Sequence, residues 1–114
     1  MPLPMTADEL AALDAELTQA ALACLLPLQT TRRADQAAFE RLQLAAASAA
    51  RKLRGSEVLP RHIINEIYVA AKVLENEAPH AAQPELVSEW AARLFMTFDL
   101  ILLGQSHEDR VSPR

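Results

Sequence analysis

Apolar residues recur along this chain at alternating three- and four-residue steps, in four blocks bounded by prolines, glycines or capping residues. Positions three and four apart share one face of a helix, whereas a half-buried strand needs alternation at every second position. In the first block the face is Leu10, Leu13, Leu17, Ala20 and Cys24; in the second it is Phe39, Leu42, Ala46, Ala49 and Leu53. The third carries Ile63, Ile67, Ala70 and Leu74, joined by Ile64 and Ala71. The fourth, Pro84 to Leu103, has two stripes. Val87, Ala91, Leu94, Phe98 and Ile101 line one face, and Ala92, Met96, Leu100 and Leu103 line nearly the opposite one. One stripe suffices for the protein's own core; the other calls for a cover.

Punctuation sets the expected ends. Thr6 and Glu9 form a capping box, and Pro27 is expected to stop the first helix at Leu26. Thr30 or Thr31 opens the second, which runs to Arg54 with Gly55 as its C-cap and Arg51, Lys52 and Arg54 at the negative end of the dipole. The third starts at Ser56 or Pro60 and closes at Pro79; the fourth starts at Pro84 and stops at Gly104. The expected helices are 7–26, 31–54, 57–78 and 84–103. Helices of about twenty residues span roughly 30 Å, and short linkers turn sequential helices antiparallel. The expected fold is all-α: a single-domain antiparallel four-helix bundle in up-down-up-down order over residues 1–104, then an extended or frayed tail, 105–114. The alanines from Ala45 to Ala50 let a neighbouring helix approach closely, and Met1-Pro2-Leu3-Pro4-Met5 is a stiff apolar lead able to pack on a neighbouring surface.

Composition agrees with an ordered helical domain. The 114 residues are 51% hydrophobic with only 2 glycines, and alanine and leucine dominate the apolar share. Charge adds a second pattern within a net of −4. Residues 1–31 hold acids and no base; residues 32–61 are strongly basic; residues 62–90 are acidic apart from Lys72. In a sequential bundle the basic second helix lies between acidic helices one and three, so pairing across those seams is expected.

The single cysteine, Cys24, permits neither an internal disulfide nor a thiolate cluster, which suits a reducing cytoplasm. Ala21-Leu22-Ala23-Cys24 faintly resembles a lipoprotein cleavage site, but no Lys or Arg precedes Arg32, and Asp8, Glu9, Asp14 and Glu16 occupy the region that would be basic. The most apolar run, Leu94 to Leu103, is ten residues long and contains Asp99, so no membrane span is expected.

Motifs for chemistry are scarce. A di-metal bundle site needs Glu-x-x-His pairs, and there are none; His62 and Glu66, one turn apart, face away from the apolar stripe and read as a solvated pair. Cys24 sits on a buried stripe, while His80 and His107 fall in a loop and in the tail. Gly55 and Gly104 read as helix stops, with no phosphate-binding turn. Arg51, Lys52, Arg54 and Arg61 crowd one turn and raise the possibility of nucleic-acid binding, but the acidic total and the acidic flanking helices oppose it. No catalytic, cofactor or metal residue is therefore expected.

What is left is a surface. Ala92, Met96, Leu100 and Leu103, flanked by Arg93 and Asp99, are the expected partner site, and an antiparallel pair of fourth helices sets Arg93 of one copy against Asp99 of the other in a homodimer. His62, Asn65, Tyr68, Val69 and Lys72 make a second candidate face. The expected function is non-catalytic protein–protein interaction, of the immunity, antitoxin, chaperone or adaptor kind that small acidic bacterial helical bundles serve, an expectation resting on fold and charge. The alternatives are a ligand- or metal-binding bundle with a sensory or catalytic role, and a nucleic-acid-associated regulator.

Overall fold

Thr6 starts the first helix as its spacing from Glu9 predicts. The Glu9 amide donates to Thr6 Oγ1 at 3.1 Å and the Thr6 amide to Glu9 Oε1 at 3.2 Å, satisfying two donors that a helix start leaves open. The computed structural model describes residues 5–107. Over that span the chain is all-helical: α1 (Ala7–Thr31), α2 (Gln36–Lys52), α3 (Arg61–Glu77) and α4 (Pro84–Leu102), with a 3-10 turn (Ala78–His80) holding Pro79. No strand occurs among the described residues. Most of the apolar lead and of the tail, residues 1–4 and 108–114, lies outside them.

Pro27 does not end α1. The helix continues through it to Thr31, although proline withholds the amide that would bond the Ala23 carbonyl. Two side chains and one burial stabilise the extra turn: the Thr30 and Thr31 hydroxyls donate to the Leu26 and Pro27 carbonyls at 2.8 and 2.6 Å, and Leu28 is buried in the core. Arg32, at φ 65°, ends the helix in the left-handed region and donates its amide to the Leu28 carbonyl. The second helix consequently opens at Gln36 instead of residue 31, with Asp35 as its N-cap accepting from the Ala38 amide at 3.0 Å. It ends at Lys52, ahead of Gly55. The third opens only at Arg61, with Pro60 at the cap position.

The principal seams are α1–α2, α1–α3, α2–α4 and α3–α4. The basic second helix thus lies between α1 and α4, not between α1 and α3, because the eight residues 53–60 are long enough to carry the chain across the end of the molecule. Side-chain pairing follows the real seams. Arg32 bonds Glu77 at 2.7 Å and His62 bonds Asp14 at 2.9 Å across α1–α3; Arg93 reaches Glu40 at 3.4 Å across α2–α4.

The core takes Leu13, Leu17, Cys24 and Leu28 from α1, Ile63, Ile67 and Leu74 from α3, and Val87, Leu94 and Ile101 from α4. Helix α2 contributes Leu42, Phe39 and the fully buried alanines Ala45, Ala46, Ala49 and Ala50, whose lack of bulk draws its neighbours close. The stripe residues predicted for α2 and α3 are all buried except Ile64, which is half-buried. Trp90, which belongs to neither stripe of α4, faces α2 and stacks on Phe39 with ring centroids 4.5 Å apart and planes 1° from parallel.

Candidate functional site

The outer stripe of α4 divides in two. Leu100 is buried by the chain itself, 2% exposed, and so is not available as a contact residue. Ala92, Met96, Asp99 and Leu103 are exposed, Met96 at 41% and Leu103 at 69%, with Leu102 beside them. They border a groove of about 650 Å³ whose walls include Phe95, Leu100 and, from α3, Glu75. Helical spacing explains the arrangement: positions 92, 96 and 103 follow one line along α4, while 100 leans toward the protein body.

Arg93 is held within the chain. Its guanidinium lies 5.0 Å from the Phe39 ring centroid and bonds Glu40, so it points toward α2 and away from the groove. Acids dominate the rest of the face: Glu85 and Glu89 precede Met96 by three turns and two turns on the same line, and Asp99 edges the groove opposite Glu75, whose charge Lys72 offsets.

The second candidate face of α3 carries three local arrangements. His62 Nδ1 bonds Asp14 Oδ1, and the nearby Glu66 carboxylate completes a trio whose donor atoms all lie within 4.8 Å of one another. Tyr68 packs on Phe98 and Phe95, with centroids 5.4 and 6.1 Å away, and Lys72 bonds Glu75 at 2.9 Å. Asn65 is exposed, and Val69 is exposed in a groove between α1 and α3. Sequence spacing pairs His62 with Glu66; only the α1–α3 seam adds Asp14. One histidine and two carboxylates are hard or borderline donors, a set able to hold a divalent cation such as Zn²⁺ with water completing its shell.

Two features have little trace in the sequence reading. The first is a polar cluster between α2 and the start of the tail. Gln43 Nε2 donates to the buried Thr97 hydroxyl at 3.1 Å, and His107 Nε2 lies 2.8 Å from the same oxygen. Gln43 Oε1 is buried without a partner. Residues 105–107 are therefore folded against α4, with the Gln105 amide on the Leu100 carbonyl, and His107 has a defined position in place of the expected frayed one.

The second is the outward face of α1. Ala11, Ala15, Leu22 and Leu26 fall on one line there, with Leu22 59% and Leu26 55% exposed. By length and composition α1 is long and apolar enough to cross a membrane, correcting the expectation that no segment is. Its most apolar 18-residue window is only 17% buried. The spacing of these residues carries the signal, but half of the line is alanine, which adds little apolar bulk.

The buried Cys24 is chemically quiet: burial, reinforced by the negative charge of Asp35, pushes its thiol up to about 12. Comparison with protein-family models, curated proteins and solved structures finds no match to this chain. Fold and surfaces therefore define only a class, an all-helical four-helix domain with exposed apolar helix faces.

Proposed function

We propose that this protein is non-catalytic and works by binding other polypeptide chains, with the outer face of α4 as its docking surface. The observation that supports this reading is the line of exposed apolar side chains, Ala92, Met96 and Leu103, along a groove edged with carboxylates. Charge selects the occupant. A second copy docked there would bring Glu85, Glu89 and Asp99 of both chains together while Arg93 is engaged with Glu40, so the favoured occupant is an amphipathic helix of another protein with basic residues beside its apolar stripe. In the scaffold we propose for it, helix directions alternate up-down-up-down, α1 running with α3 and α2 with α4. The Arg32–Glu77 pair at the ends of α1 and α3, and the Gly55 amide bonding the Gly104 carbonyl beyond α2 and α4, support that arrangement.

The test is a fluorescence-anisotropy titration with two synthetic helical peptides sharing one leucine stripe, one flanked by lysines and one by glutamates. The lysine peptide binds and the glutamate peptide does not, and Met96→Lys with Leu103→Lys removes binding while circular dichroism stays unchanged. Equal binding of both peptides, or undiminished binding by the double variant, refutes the reading.

The Asp14–His62–Glu66 trio favours a second reading, a metal-binding bundle. It predicts that Co²⁺ develops a tetrahedral visible spectrum with the wild-type protein and not with His62→Ala; identical spectra for the two exclude it.

A further inference from the structure

We infer that the outward face of α1 is a homodimer interface in which two copies of α1 pair antiparallel about a two-fold axis near Thr18. This goes beyond the α4 reading and uses a different surface. It starts from the incomplete burial of α1, whose most apolar 18-residue window is only 17% buried.

The face is graded in size. Its first half presents alanines, Ala11 and Ala15, and its second half leucines, Leu22 and Leu26. Antiparallel pairing centred between residues 18 and 19 sets Leu22 of each copy on Ala15 of the other, and Leu26 on Ala11. Every large side chain then meets a small one and the seam fills evenly. Parallel pairing would crowd leucine on leucine at one end and leave a gap between alanines at the other.

Charge is graded in the same direction. The acids of α1, Asp8, Glu9, Asp14 and Glu16, lie in its first half, and Arg32 and Arg33 follow its last residue; Asp14 and Arg32 are engaged within the chain by His62 and Glu77, which leaves Asp8, Glu9 and Glu16 against Arg33. Reversing one copy lays the acidic half of each helix toward the basic end of the other, so the attraction operates twice. The groove toward α2 is lined by Glu16 and Arg41 beside the exposed Leu44. On the other flank, Val69 of α3 borders the groove that holds Leu22 and Leu26.

From Ala11 to Leu26 the face runs about 22 Å, and with flanking α2 and α3 it is about 25 Å wide, a footprint on the order of 550 Å² per chain against the roughly 800 Å² of a standard interface. At that size, below the standard interface, a weak and reversible dimer is the expected strength.

Sedimentation equilibrium on the full chain reads the association. Wild-type mass rises from 12.5 kDa toward twice that value with concentration. Leu22→Glu with Leu26→Glu holds it at the monomer with helix content unchanged, whereas Met96→Glu leaves the dimer intact. Cysteine cross-linking reads the geometry. In a Cys24→Ser background, Ala15→Cys and Leu22→Cys proteins each stay uncross-linked under mild oxidation, and their mixture cross-links. A wild-type mass fixed at the monomer, loss of the dimer on Met96→Glu instead, cross-linking of Leu22→Cys with itself, or recruitment of monomeric protein to phosphatidylcholine vesicles through Leu22 and Leu26 would each overturn the proposal.

Discussion

Replacing Phe39 by alanine removes the centre of the α2–α4 seam, and the structure fixes what is lost. Phe39 is fully buried, one ring face stacked on Trp90 at 4.5 Å and the ring also within reach of the Arg93 guanidinium at 5.0 Å. Loss of the buried ring and the cavity it leaves cost about 3–5 kcal/mol in tight cores, with stacking supplying about 0.5–1.5 and the cation contact about 0.5–1 of the interaction. Since domains of this size are stable by about 6–17 kcal/mol, Phe39→Ala is expected to remove a large part of the margin. Trp90 is the only tryptophan, so its fluorescence reports directly on the site. Urea unfolding followed at Trp90 should show a midpoint shift equivalent to about 4 kcal/mol, with a red-shifted native emission as water reaches the indole. Phe39→Leu, which keeps most of the volume, should cost under about half as much. A loss below about 1 kcal/mol for the alanine variant, or unaltered emission, would refute the stack and with it the account of why Arg93 is unavailable to a partner.

Pro27→Ala restores the amide withheld from the Ala23 carbonyl. Helix propensity favours it by up to about 3 kcal/mol, offset by about 1 kcal/mol of added unfolded-chain entropy, so stabilisation of about 1–2 kcal/mol is expected in thermal unfolding. Destabilisation would mean that the proline ring itself is needed where it packs. Cys24 sets an alkaline limit. Its thiol ionises near its ordinary value of 9.0 when unfolded but only at about 12 when folded, so folding favours the protonated form and the stability it contributes below pH 9 is lost as pH rises toward 12. Wild-type and Cys24→Ala stabilities measured from pH 8 to 11 should therefore converge or cross as pH rises; a constant difference would contradict the buried thiol.

The helices and their inner faces could be read from the chain because period and capping are local properties. The α1 capping box, the α2 stripe and the start of α4 at Pro84 follow from neighbours within a few residues. What could not be read depends on contacts between distant residues. The extension of α1 past Pro27 rests on burying Leu28, and the neighbour order rests on how residues 53–60 cross the end of the molecule. The candidate sites divide in the same way. Spacing locates the exposed line of Met96 and Leu103, but Leu100 is covered by the fold, Arg93 is drawn to Phe39 and Glu40, and Asp14 joins His62 and Glu66 only through the α1–α3 seam.

The two apolar faces make different demands and are arranged to be met together. Helices α1 and α4 share no principal seam, each lying between α2 and α3, so their outward faces point away from one another. If α1 pairs with its copy, the α4 grooves stay open on the two outer sides of the dimer, and a partner displayed on a surface meets two sites at once. Linking two weak sites multiplies apparent affinity by about 10²–10⁴ where both can engage. The lysine-flanked peptide should then bind Leu22→Glu/Leu26→Glu protein in solution as well as wild type, yet the same variant should dissociate far faster from a densely peptide-coated surface. Equal dissociation from that surface would show that the two faces do not act together, whereas weaker binding in solution would place α1 within the peptide site itself.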